Sequence, residues 1–161
     1  MYIFGIDPTK TSTTAEFDVG QIGFNTSSDG AKGYMYVQAN GAITGDGYVC
    51  DIDVSSFDAA MSTTTTTAPG TGQGKPVGIA RVAFADNDYG WVQIYGVGVV
   101  RVAASCAAYT ALNSTATAGQ IDDDATAGAE VIEGVILDAA NGGSAGTVAG
   151  FINWPRVGRT L

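Results

Sequence analysis

The sequence predicts an all-β chain, and three of its features carry that prediction. Glycine supplies 23 of the 161 residues without a three-residue period, so the excess reads as tight connections and not as collagen. Short runs of Val, Ile, Thr and aromatic residues are separated by clusters of Gly, Asn, Asp and Ser. No long window keeps a clean helical period. Together they point to a compact antiparallel β-barrel or sandwich with at most short helices.

Residues 1–16, "MYIFGIDPTKTSTTAE", are rich in Thr and lose their apolar pattern after Ile6, which predicts an extended N-terminal arm. The rest, 17–161, is expected to be a single β domain. A first strand is expected at Phe17–Val19, with Gly20 and Gly23 bending the chain. "KGYMYVQA" (32–39) alternates, with Tyr34, Tyr36 and Gln38 on one face and Met35 and Val37 on the other. "NGAITGDG" (40–47) reads as turn chemistry. In "YVCDIDV" (48–54), Tyr48, Cys50, Ile52 and Val54 share a face; Val49, Asp51 and Asp53 share the other.

Residues 55–75, "SSFDAAMSTTTTTAPGTGQGK", are the expected long loop, with a helical turn at Phe57–Met61. Its Thr run is not expected to build core, and it reads either as a mobile surface loop or as a contact loop that orders on a neighbour. The strongest strand signal spans 76–104. Ala80, Val82 and Phe84 face one way, and Val77, Ile79 and Arg81 the other. Further on, Val92 and Ile94 oppose Trp91, Gln93 and Tyr95, and Gly96 and Gly98 predict a bulge or bend. A short helix is expected in 105–115 and a polar connector in 118–130. The last element is a hairpin, 131–138 and 147–155, closed by the loop 139–146 and ended by Pro155. Both its strands are apolar on both faces, so both faces are expected to be covered.

Charge narrows the function classes. Lys and Arg number 7 against 16 acids, a net charge of −9. Such a field repels phosphate backbones and anionic membrane surfaces, so neither nucleic acid nor membrane is an expected partner. Charged residues make up only 14%, where ~25% is usual. Part of the surface is therefore expected to be covered by other chains. The start carries no basic stretch ahead of a long apolar run, so synthesis in the cytoplasm without a signal peptide is expected.

The chemistry-bearing residues are few. Histidine is absent, which removes the commonest general base and most zinc sites. Cys50 and Cys106 lie far apart without a CxxC, and buried free thiols are the favoured reading over a disulfide. In "ADNDYG", Asp86 and Asp88 form a carboxylate pair of the kind a glycosidase uses. But Asp, Asn and Gly between two apolar runs are what a hairpin turn requires, and a turn is expected. Asp46, Asp51 and Asp53, and Asp122–Asp124, lack the spacing of a calcium loop and read as solvated turns. "GTGQGK" (70–75) lacks the phosphate-loop pattern, because Pro76 follows Lys75. No catalytic residue, cofactor or metal site is expected, and the chain reads as a non-enzyme.

The succession "GKPVGIARVAFADNDYGWVQIYG", "LNSTATAGQID" and "VIEGVILDAANGG…VAGFINWPRV" resembles small β-rich virion proteins of tailed bacteriophages, namely head decoration or capsid cement proteins and related head components. The likeness covers 75–161 best and the N-terminal half loosely. It implies a structural role on the outer capsid surface of a virion, with the major capsid protein as partner and often a homotrimer. It carries over no individual binding residue. Read with the composition, it makes Tyr2, Ile3, Phe4, Tyr89, Trp91, Tyr95 and Trp154 the candidate interface residues, each with plain core packing as its alternative. Two other readings stay open: another virion part, such as a tail or head-fibre subunit, or a carbohydrate-binding module.

Overall fold

The computed structural model describes residues 3–124 and 126–161. They form twelve strands and no helix: β1 (Ile3–Phe4), β2 (Thr11–Ser12), β3 (Ile22–Ser27), β4 (Gly30–Ala39), β5 (Val49–Ile52), β6 (Asp58–Met61), β7 (Val77–Ala80), β8 (Tyr89–Val102), β9 (Asn113–Ser114), β10 (Ile121–Asp122), β11 (Glu130–Leu137) and β12 (Gly146–Thr160). The chain is thus all-β, as its composition predicts. Pairing is antiparallel except for three short parallel contacts, β1 on β3, β4 on β6 and β8 on β10.

The pairings close two rings that share one strand. The first runs β4–β6–β5–β7–β8 and back to β4. The second runs β8–β10–β9–β11–β12 and back to β8. Closure leaves few bare edges. Two buried clusters fill the rings, and Val49, Val77 and Ile79 of the first ring's strands belong to the second cluster. Val37, Cys50, Ile52, Ala80, Phe84 and Val92 pack the first. Val100, Val102, Leu112, Ile121, Ile132 and Ile152 pack the second. The alternation in "YVCDIDV" is honoured: Cys50 and Ile52 enter the first cluster and Val49 the second.

Sharing β8 requires it to change direction. Its first half pairs with β4, and Tyr95 onward pairs with β12. The change falls at Gly96, whose φ is +97°. A Cβ there would lie 2.5 Å from the Ala31 carbonyl oxygen, so only glycine fits. The fully buried Gln93 fixes the bend. Its side-chain Nε2 lies 3.1 Å from the carbonyls of Tyr95 and Val97 and 3.2 Å from that of Gly96.

Several local expectations give way to tertiary contacts. Phe17–Val19 is not a strand; Phe17 instead packs its ring on both Tyr36 and Trp91, at 5.3 and 5.2 Å between centroids, and those two rings also meet at 5.0 Å. Residues 58–61 form strand β6 and not a helical turn, because β4 and β5 offer edges on either side. The Thr run is packed against the fold, so it contributes to the interior after all. Thr67 is fully buried; its hydroxyl lies 2.7 Å from the Thr63 carbonyl and 2.9 Å from Ser114 Oγ. The turn before it is set by Asp53, which accepts from Ser55 Oγ, Ser55 N and Ser56 N. The Ser55 bonds above all hold its carboxyl well below the usual range. A depressed folded value stabilises above the ordinary carboxylate range and is lost only as pH falls through it. No helix forms in 105–115, where turns lead into β9.

Pro155 does not end the last strand, which continues to Thr160. Its missing N–H costs no ladder bond, because β8 pairs with β12 only as far as Asn153. A bulge absorbs the ring: Trp154 has φ +49° and Gly134 opposite has φ +83°.

Gly96→Val is expected to destabilise the fold by roughly 3 kcal/mol or more, from a disallowed φ and a backbone clash. Gln93→Leu should cost about 1–3 kcal/mol by leaving buried carbonyls unpaired. Urea unfolding measures both, and wild-type midpoints would contradict this account of the bend.

Candidate interaction surface

The turn "ADNDYG" is structural in its hydrogen bonding. Asn87 takes φ +68°. Asp86 Oδ1 accepts from Gly41 N at 2.8 Å, and Asp88 Oδ2 from Ala85 N at 3.1 Å. Both carboxylates thus hold backbone amides. Asp46, Asp51 and Asp53 are also engaged: Asp46 pairs with Arg81 at 3.0 Å, while Lys75 sits 3.9 Å from Asp51 and 3.7 Å from Asp53. The lysine of "GTGQGK" is therefore committed to carboxylates.

Among the described residues, one group approaches a ligand set. Cys106, Asp122 and Asp123 bring a thiol and two carboxyls within 4.8 Å of one another. A soft sulfur beside hard oxygens is a poorly matched donor set. Burial, with the Asp123 charge, pushes the Cys106 thiol up to about 12, so it stays protonated at neutral pH. Burial also pushes Cys50 upward. Both cysteines are free and buried, in separate clusters.

The prominent feature is an uncovered aromatic row on the outer side of the sheet. It begins at Phe4 of β1, whose ring stacks on Phe24 of β3 at 5.8 Å. Phe24 pairs with Gly33, and Gly33 with Tyr95 of β8. A Cβ on Gly33 would stand 3.1 Å from Tyr95 Cβ and 3.2 Å from the Phe24 ring, so the glycine lets the two aromatics close over it. Tyr95 meets Phe151 of β12 edge-on at 5.5 Å. Phe151 pairs with Val97 on one side and Ile136 of β11 on the other. Phe4 is 78% exposed, Ile136 51% and Phe151 38%. Among the described residues, then, the hairpin is covered on one face only.

Charges bound the row along the strands. Arg101 lies at one end, over the Tyr48 ring at 5.6 Å. The Arg156–Glu133 ion pair, 2.7 Å, lies at the other. An apolar centre with a charged rim is the anatomy of a protein contact. Half-exposed Trp154 stands beside a cavity of about 270 Å³ lined by Met35, Val77, Ile94 and Pro155.

The seven candidate interface residues fall in different places. Tyr2 lies outside the described residues. Ile3 is half-buried, Phe4 opens the row and Tyr95 is its centre. Trp154 flanks it. Trp91 is 3% exposed and packs internally with Tyr36 and Ile6. Tyr89 stacks on Tyr36 at 6.3 Å on that same internal side. Phe24, Ile136 and Phe151 escaped residue-level selection. For Ile136 and Phe151 the signal was present in the missing polar alternation of "VIEGVILD" and "TVAGFINWP"; Phe24 had none.

Trp91→Ala is expected to cost about 3–5 kcal/mol of stability, as for a buried aromatic. Phe4→Ala and Ile136→Ala should each shift it by less than about 0.5 kcal/mol. Urea unfolding of the three variants separates core from surface. Both thiols should resist a thiol reagent in the native protein and react only once it unfolds; fast native labelling of either would contradict their burial.

No protein-family model matches this chain, and no curated protein matches it.

Proposed function

We propose that the chain is a structural virion protein that binds the outer surface of a phage head and stabilises it, with the major capsid protein as partner and further copies of itself in a homotrimer. The observation that carries this reading is the uncovered row through Phe4, Phe24, Tyr95, Phe151 and Ile136. A contiguous apolar patch with a charged rim marks a contact surface. The low charge fraction and the resemblance of 75–161 to decoration proteins point the same way. The mechanism is additive: modest contacts, repeated by symmetry, tie neighbouring capsomers together.

Half-exposed Trp154 beside its cavity favours a second reading, a carbohydrate-binding module, in which an aromatic face takes a sugar ring. Saturable co-sedimentation with phage heads stripped of their decoration supports the first reading. Retardation in a polysaccharide gel, lost in Trp154→Ala, supports the second. If the row docks on the head, Tyr95→Ala or Phe151→Ala should each weaken head binding roughly 30-fold, the loss of about 2 kcal/mol typical of an interface anchor. Unchanged binding in both variants would remove the row from the interface.

A further inference from the structure

The segment Ile3–Ser12 lies in a groove of the fold and is held there lightly. β1 pairs with β3 at two positions, and β2 pairs with β8 at two more. Between them the contacts are mostly main-chain: Gly5 N donates to the Phe24 carbonyl at 2.9 Å, and Asn25 Nδ2 donates to the Ile6 carbonyl at 3.2 Å. Ile6 is the segment's one buried hydrophobic among the described residues. A cavity of about 240 Å³ remains beneath it, against Phe17, Tyr36, Tyr89 and Trp91.

The segment packs closely on the strands beneath it. A Cβ on Gly23, opposite Ile3, would stand 2.9 Å from Ile6 Cγ2 and from the Trp91 ring. One on Gly90, opposite Thr11, would stand 2.7 Å from the Phe84 ring and 3.2 Å from the Lys10 carbonyl oxygen. Gly23 thus leaves room for the Ile6 side chain against Trp91. Thr13–Glu16, which join the segment to the barrel, are all exposed. Phe17 then anchors the chain in the aromatic cluster.

We propose that this groove receives the Ile3–Ser12 segment of a second copy of the chain, so that copies are joined by strand exchange across the Thr13–Glu16 hinge. The occupant follows from chemistry: an identical segment makes the same β1–β3 and β2–β8 pairings and the same Gly5 and Ile6 hydrogen bonds, and exchange changes only which copy supplies it. The bonds lost on release are regained on the neighbour, while the exposed linker has little packing to lose. The proposal adds a linkage to the homo-oligomer proposed above, and its test needs no capsid, so the two can fail separately.

The test mixes two single variants, Ser12→Cys and Tyr89→Cys, whose positions face each other across β2 and β8. When one copy's segment lies on another copy's β8, a Ser12→Cys–Tyr89→Cys disulfide between copies is favoured over the Ser12→Cys or Tyr89→Cys homo-linkage that chance collision gives. Non-reducing electrophoresis after long incubation should show linked two-chain species that rise with concentration and exceed the linkage of either variant alone. The double variant, Ser12→Cys with Tyr89→Cys, should close internally when dilute. Internal closure with no mixed linkage at any concentration would overturn the proposal. If Tyr89→Cys unfolds the barrel, Phe4→Cys and Phe24→Cys, which face each other across β1 and β3, decide it the same way.

Discussion

The fold depends on one bend. β8 is a wall of both rings, and it can be so only because Gly96 turns it with a φ of +97°. A buried glutamine holds that turn: two hydrogens on Gln93 Nε2 face three carbonyls, so at least one is shared. A buried amide is costly unless its hydrogen-bonding groups are paired. Here Nε2 takes up carbonyls that the kinked strand leaves off the ladder, while the buried Oε1 has no hydrogen-bond partner among the described residues. The same bend brings Tyr95, Val97 and Phe151 to one outer face, so the interaction surface and the double ring share a cause.

Much of this was legible residue by residue. Alternation in 32–39 and 48–54 assigns side chains to the correct clusters because each strand divides two packed regions. Gly96 reads as a bend because an isolated glycine in a β-branched run has little other use. What escaped depends on distant partners. The buried hydroxyl of Thr67 finds Ser114 47 residues away, and no local pattern announces that bond. Phe17 reads as a strand start, yet the Tyr36–Trp91 cluster takes its ring. Pro155 reads as a stop, but it sits past the end of the β8 pairing, where an absent N–H costs nothing.

The contact surface was legible as a statement about cover and not about location. Apolar residues on both faces of a hairpin require something on both sides. Inside the chain the second ring's core covers one side; Ile136 and Phe151 keep the other open. Sequence periodicity cannot say whether the missing layer belongs to the same chain. Only closure of the rings, which uses up the strands of the chain, shows that none of the described ones remains to cover it.

The two apolar surfaces differ in what they select. Beyond Phe4, the row sits on backbone fixed by pairing in β3, β4, β8, β11 and β12, so a partner meets side chains that need little ordering. Its contacts are side-chain contacts, sensitive to shape and to the field of a chain carrying −9. Copies approaching row to row feel that charge, screened over about 8 Å at physiological salt, and a neutral or basic surface does not. The groove under Ile3–Ser12 works the other way. It binds mainly through backbone groups that any extended strand possesses, and specificity comes from Ile6 and from the glycines that admit it closely. On the strand-exchange proposal, an acidic chain joins to its own kind where recognition is by main chain, which leaves the aromatic row for a surface of different charge.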